Sequence, residues 1–137
     1  MTQLERIERT IAKNGAELCY IPLNGLKAVT IHTDRKTAVY IDTDDFRGVC
    51  ELQSACAHEC GHVATASYYR PGDDPLTVLR QEYKADKYAA HRFLPVRKIK
   101  KAIADGYVEL WQMSELFGFD ERFIRRTIEI YRREGKL

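Results

Sequence analysis

No part of this 137-residue sequence stays apolar for the roughly 18 residues that a membrane-spanning helix needs. The opening stretch, MTQLERIERTIAKNG, is charged throughout and lacks the apolar segment of a secretory signal. Cysteine is scarce and unevenly spaced, with three of the four residues in one predicted helix: Cys19, Cys50, Cys56 and Cys60. We therefore expect a cytoplasmic protein with free thiols rather than a disulfide framework.

The sequence also has no internal repeat and no low-complexity segment, which argues against a solenoid or a disordered chain. Hydrophobic residues make up 45% and charged residues 31%, a globular composition. A chain of this length can bury one hydrophobic core without disulfide support. We expect one compact domain, in which residues 1–95 form the core and residues 96–137 form a helical subdomain packed on it.

The net charge of +2 is small, but the charges are unevenly distributed. Residues 1–79 carry 8 basic and 11 acidic side chains, whereas residues 80–137 carry 14 and 9. A basic C-terminal part can contact an acidic partner or nucleic acid. A solvated helix face is the more common reason for such a bias, so charge alone assigns no partner.

Hydrophobic spacing predicts an α+β fold. A helix over residues 2–14 precedes three short β-type segments, LCYIPL, LKAVTIH and TAVYID, which we expect to form a small, mainly antiparallel sheet. A long helix follows from about Val49 to Tyr69, and RPGDDP breaks it. A second long helix begins after the N-cap Asp74 and ends near Leu94. Three shorter helices complete the tail, each ending at a glycine: Gly106, Gly118 and Gly135.

The first long helix carries two histidines four positions apart, in the sequence HECGH. A helix turns about 100° per residue, so His58 and His62 share one face and can bind a single zinc ion. Glu59 lies further round the helix, where its carboxylate can take a proton from a water instead of binding the metal. We expect Gly61 to keep the helix surface low beside the metal. The H-E-x-x-H pattern is typical of zinc metallopeptidases.

A catalytic zinc needs a third protein ligand. His32 and His91 are candidates, but the second long helix offers a better one. Its apolar stripe, which starts at Leu79, also contains the carboxylates of Glu82 and Asp86, and buried carboxylates are costly unless paired or bound to metal. We therefore assign Glu82 as the third ligand and Asp86 as the acceptor that holds a ligand histidine by its outer nitrogen. Pairing of both carboxylates with Lys or Arg at the helix edge is the alternative.

With these two motifs on one chain, the sequence resembles the ImmA/IrrE family of zinc metallopeptidases, of the gluzincin group. HECGH is similar to the family's H-E-x-G-H helix, with Cys60 where an aliphatic residue is common. EYKADKYAAHRFLP resembles its E-x-x-A-[ND]-x-F-A-x-x-[LF]-L-x-P segment, with Tyr88 in place of the usual Phe. The segment SELFGFDERFIRRTIE resembles the family's closing segment, and the resemblance covers roughly residues 25–130.

The resemblance implies a minimal zincin-like metallopeptidase domain whose two long helices carry the metal. It implies one Zn²⁺ per chain on His58, His62 and Glu82, with Glu59 as general base and Asp86 supporting a ligand histidine. Family members are commonly encoded beside, or fused to, helix-turn-helix repressors of phages and mobile elements, and some cleave them. The expected function is a cytoplasmic zinc endopeptidase that cuts a protein, a helix-turn-helix transcriptional repressor, at a limited site.

Two other functions stay open. The segment from Leu110 to Arg133 has the order of a helix-turn-helix, with Arg125 and Arg126 on its second helix, although that helix is also apolar and acidic. Such a regulator would bind DNA directly. Alternatively, the protein binds a repressor through the zinc-containing fold without cutting it.

Two further features of the predicted peptidase site concern how it would bind its substrate. We expect an extended substrate to pair with the sheet edge at residues 37–42. A donor for the developing oxyanion is expected as well. Five residues near the motifs in sequence are candidates for it, and spacing does not choose among them: Tyr68, Tyr69, Tyr83, Tyr88 and His91.

Overall fold

The computed structural model describes all 137 residues and confirms the α+β class. The six α-helices are α1 (Gln3–Lys13), α2 (Val49–Thr65), α3 (Pro75–Phe93), α4 (Val96–Ala104), α5 (Leu110–Phe117) and α6 (Glu121–Arg133). The three strands are β1 (Ala16–Tyr20), β2 (Ala28–His32) and β3 (Thr37–Ile41), followed by a 3-10 turn at Thr43–Asp45. None of the helices combines the length and the apolar character required to cross a bilayer.

The sheet is mixed, which corrects the prediction of a mainly antiparallel one. Its order is β1-β3-β2, with β3 parallel to β1 and antiparallel to β2. The most buried strand takes the centre, since Ala38, Val39 and Ile41 of β3 are buried whereas β1 and β2 are half-exposed. Both edges of β3 are therefore occupied. The prediction that a substrate pairs with residues 37–42 is wrong, and the free edges belong to β1 and β2.

Helix α2 is shorter than its sequence predicts, because it ends at Thr65 rather than near Tyr69. Ala66 adopts the left-handed conformation with φ 51°, and the Ser67 N–H donates to the His62 carbonyl at 3.1 Å. The chain then folds back across the end of α2. This turn brings the Ser67 carbonyl to the ring of His62, which lies in the last turn of the helix.

Helices α2 and α3 pack closely because Gly61 has no side chain. A Cβ at Gly61 would overlap the backbone carbonyl of Ala85 on α3. Gly61 therefore permits the contact of the two helices, which corrects the expectation that it lowers the helix surface beside the metal. The close approach brings Glu82 and Asp86, on either side of Ala85, towards the histidines of α2.

One hydrophobic cluster joins the elements of the chain, from Ile7 of α1 to Tyr131 of α6. The Tyr131 hydroxyl donates to the carbonyls of Ala90 and Leu94 at 3.1 and 2.8 Å, which fixes α6 to the end of α3. Because residues on both sides of position 95 belong to this cluster, the tail helices lie against the elements that carry the motifs. All four cysteines are free thiols, as the sequence predicts.

Candidate metal centre

Three side chains from α2 and α3 converge at one point of an open cleft. Nε2 of His58 and Nε2 of His62 are 3.1 Å apart. The Glu82 carboxylate contacts both rings, with Oε2 2.8 Å from His58 Nε2 and Oε1 3.1 Å from His62 Nε2. These ligand atoms all lie within 4.8 Å of one another, so the group could hold a metal ion.

Asp86 contacts His58 at Nδ1, whereas Nε2 of the same ring faces Glu82 and His62. Its Oδ1 lies 2.8 Å from His58 Nδ1, so both ring nitrogens of His58 face carboxylates. A carboxylate only accepts, so without a metal both nitrogens carry hydrogen and the ring is an imidazolium. Burial opposes that charge, but the hydrogen bonds to Asp86 and Glu82 outweigh it and raise the pKa of His58 to about 10.

The turn after α2 orients His62, a nearly buried residue at 6% exposure. Its Nδ1 lies 2.6 Å from the carbonyl oxygen of Ser67. Because a carbonyl only accepts, Nδ1 carries the hydrogen and the Nε2 lone pair points at Glu82. Nε2 of His62 and Oε1 of Glu82 are then both acceptors, and at 3.1 Å they repel each other unless a proton or a cation lies between them. Two imidazoles and one carboxylate form a donor set of catalytic zinc sites, so these residues fit that metal.

Glu82 is held ionised by its neighbours. Burial works to raise its pKa, but the hydrogen bonds from the charged His58 ring and from Tyr69 prevail and lower the pKa well below its ordinary range. The Tyr69 hydroxyl donates to Oε1 of Glu82 at 2.7 Å, and this bond raises the pKa of Tyr69 to about 12. A permanently charged carboxylate is the form that binds a cation.

Glu59 lies beside the cluster without belonging to it. Its side chain is nearly buried, and its Oε1 accepts a hydrogen bond from the hydroxyl of Thr30 at 3.0 Å. Thr30 belongs to strand β2, so the edge strand of the sheet is tied to the glutamate of the motif. Glu59 also lines the cleft, as His58 does.

The remaining sequence candidates separate into two groups. His32 and Tyr68 stack in the cleft wall with their ring centroids 4.3 Å apart, and neither belongs to the metal cluster. The other group does not line the cleft: Tyr83, Tyr88 and His91. His91 instead contacts Glu134 at 2.9 Å. Of the candidate donors, only Tyr69 touches a residue of the cluster.

Three partners of the centre were not named from the sequence, Thr30, Ser67 and Arg126, although Arg126 is a basic partner of the kind that the alternative assigned to Asp86. Arg126 of α6 donates through Nε to Oδ2 of Asp86 at 3.0 Å, across forty residues of sequence. No periodic pattern indicates such long-range contacts. The predicted place of Leu79 is also wrong, because Leu79 lies on the cleft wall and is 66% exposed rather than part of an inward stripe.

The cluster opens into a cleft of about 1830 Å³. Strand β2 forms one wall, since every residue from Lys27 to His32 lines the cleft, and α6 contributes to another. An extended segment of a second chain can therefore approach the cluster along a free strand edge.

Comparison with known proteins adds no family assignment. The chain gave no match to a family model, and no significant match to a curated protein or a solved structure. The residues of the metal centre and its cleft therefore carry the functional proposal.

Proposed function

We propose that the protein is a zinc-dependent endopeptidase of the ImmA/IrrE type, with one Zn²⁺ per chain bound by His58, His62 and Glu82. The observation that carries this proposal is the convergence of two imidazoles and a carboxylate in an open cleft, with Glu59 adjacent and not in the cluster. Zinc bound there would polarise a peptide carbonyl and lower the pKa of a nearby water. The H-E-x-x-H spacing and the second motif agree with this chemistry.

The proton transfers belong to Glu59. Its carboxylate takes a proton from the attacking water as the oxygen adds to the carbonyl carbon, and then delivers that proton to the departing amine nitrogen. The hydroxyl of Thr30 occupies Oε1 and leaves Oε2 for this exchange. Tyr69 is our candidate donor to the developing oxyanion, since its hydroxyl already reaches into the cluster.

The free edge of β2 in the cleft supports an extended peptide as the substrate. A peptide in extended conformation can add to the free edge of β2 as a further strand, with main-chain hydrogen bonds that do not depend on sequence. Only an exposed or unfolded segment of a protein can present its backbone in this way, which favours cleavage at a limited site. The resemblance adds the proposed identity of that substrate, a helix-turn-helix repressor of a phage or mobile element, in a cytoplasmic setting.

Direct DNA binding by α5 and α6 has less support. Arg126, one of the two arginines that suggested it, is engaged by Asp86, and Ile124 and Thr127 of the same helix are buried. A recognition helix leaves its arginines free to contact the major groove instead. A mobility-shift assay at moderate salt tests the point, and sequence-specific retardation by the metal-free protein would reverse the ranking.

The peptidase proposal is tested with a defined probe, a proteome-derived peptide library, and with a helix-turn-helix repressor where the neighbouring reading frame encodes one. We expect discrete products from the zinc-loaded wild type and none from Glu59→Gln, which keeps its zinc. Glu121→Gln, at an exposed position of α6, is the control and should cleave as the wild type does. Wild-type protein that binds the repressor but cuts neither probe would indicate a non-proteolytic regulator.

A further inference from the structure

Asp86 uses both of its carboxylate oxygens. Oδ1 accepts from Nδ1 of His58 at 2.8 Å, and Oδ2 accepts from Nε of Arg126 at 3.0 Å. A continuous chain of hydrogen bonds therefore runs from α6 through α3 to a proposed metal ligand on α2. The proposed chemistry uses His58 and Asp86 but assigns nothing to Arg126.

The guanidinium of Arg126 is held in place by its own surroundings. Its Nη1 lies 3.4 Å from Oε2 of Glu129, and its Cζ lies 5.8 Å from the ring centroid of Tyr83 on α3. The two residues that flank it towards the core, Ile124 and Thr127, are buried and anchor this part of α6. The orientation of Arg126 is therefore set by the docking of α6 on α3.

We propose that Arg126 is a positioning residue for the metal ligand His58, acting through Asp86, so that the docked helix α6 is part of a tight metal site. This inference rests on the proposed metal centre and is independent of peptidase activity. With Arg126 present, the Asp86 carboxylate is fixed at both oxygens, and Oδ1 holds the Nδ1–H of His58. Nε2 then faces the metal position in a single orientation. Without Arg126, Asp86 is free to rotate towards solvent, because its side chain is 23% exposed.

The sign of the effect separates this proposal from a simple charge effect. A positive guanidinium near a cation site disfavours cation binding, so its removal would strengthen zinc binding if charge alone mattered. Loss of a positioning contact weakens zinc binding instead. Removal of a group that orients a ligand histidine typically lowers metal affinity by about 10–100-fold. Arg126 is one contact further away, so we expect a loss near the lower end, about 10-fold.

The test measures the zinc dissociation constant by competition with a chromophoric chelator. Arg126→Met should bind zinc about 10-fold more weakly than wild type, and Arg126→Lys, which keeps a charged donor group, should recover part of the loss. Arg125→Met is the matched control, since Arg125 neighbours Arg126, lines the same cleft and is exposed. It should bind zinc within about twofold of wild type, the range expected for a surface change without a contact to the site.

A double-mutant cycle tests the route through Asp86. In an Asp86→Ala background, Arg126→Met should have no further effect on zinc affinity. Thermal unfolding of the zinc-free variants reports any loss of fold, in which case Arg126→Lys replaces Arg126→Met in the cycle. Unchanged or tighter zinc binding by the Arg126 variants, or a full effect without Asp86, would overturn the inference. A folded wild type that binds no zinc would overturn both proposals, whereas zinc binding without cleavage would remove only the peptidase.

Discussion

Zinc binding near neutral pH should release about one proton, and His58 should be its source. In the zinc-free protein this ring lies between two carboxylates, at 2.8 Å from Glu82 and 2.8 Å from Asp86, and its pKa is about 10 against an ordinary value of 6.5. The imidazolium is therefore the form present at about pH 7. Zinc can bind Nε2 only after the hydrogen on that nitrogen has left.

The pH dependence of zinc binding follows from the competition between zinc and the proton for Nε2 of His58. With a raised pKa, each rise of one pH unit should increase the apparent zinc affinity about tenfold, from about pH 7 towards pH 9, because one proton is displaced. With an ordinary pKa of 6.5, the release would fall to about a tenth of a proton by pH 7.5. The folding stability of the zinc-free protein depends on pH in the opposite direction. The contribution of charged His58 to that stability is fully present below about pH 6.5 and is lost as the pH rises towards 10.

Isothermal titration calorimetry in buffers of different ionisation enthalpy counts the released protons. At about pH 7.5 the slope of observed enthalpy against buffer enthalpy should correspond to about one proton per zinc. Asp86→Ala removes one of the two carboxylates and should reduce the release. A slope near zero for the wild type, or zinc affinity that is flat above about pH 7, would refute the proposed charge state of His58.

Three further predictions concern single residues. Gly61→Ala should destabilise the protein by about 1–3 kcal/mol, because the new methyl group overlaps the backbone of α3; thermal unfolding measures this loss, and Gly48→Ala, which adds a methyl group in open space, should cost only the difference between Gly and Ala at the N-cap of α2, about 0.5–1 kcal/mol. Asp86→Ala should weaken zinc binding by about 10–100-fold in a chelator competition while the far-UV spectrum stays that of the folded protein; an unchanged affinity would contradict it. Tyr69→Phe should retain zinc but lower kcat for peptide cleavage by about 100-fold or more, and an unaltered kcat would exclude Tyr69 as the oxyanion donor.

The helices and the group of side chains that could hold a metal ion were accessible from sequence because both depend on local periodicity. Positions four apart share a helix face, so His58 and His62 had to lie together, and the carboxylate of Glu82 on the apolar stripe of α3 marked their partner. The structure also confirms the predicted N-cap of α3, Asp74, whose side chain accepts from the Leu76 N–H. Periodicity was less reliable at the start of the apolar stripe of α3, because Leu79 faces the cleft instead.

Strand order and long-range contacts were not accessible in this way. Each strand segment has a β-type composition, but composition does not specify its partner, and the central position of β3 depends on how the whole sheet packs. The early end of α2 depends on Ala66, a residue that rarely adopts positive φ. Arg126 reaches Asp86 only because the buried face of α6 docks on α3.

The most direct test of the central claim is elemental analysis of purified protein together with zinc K-edge X-ray absorption. The account predicts close to one zinc per chain, bound by two imidazole nitrogens and a carboxylate oxygen at about 2.0–2.2 Å. That zinc should be lost in His58→Ala, His62→Ala and Glu82→Gln, and retained in Glu59→Gln. A folded wild type without stoichiometric zinc, or zinc that persists when His58 and His62 are both replaced, would contradict it.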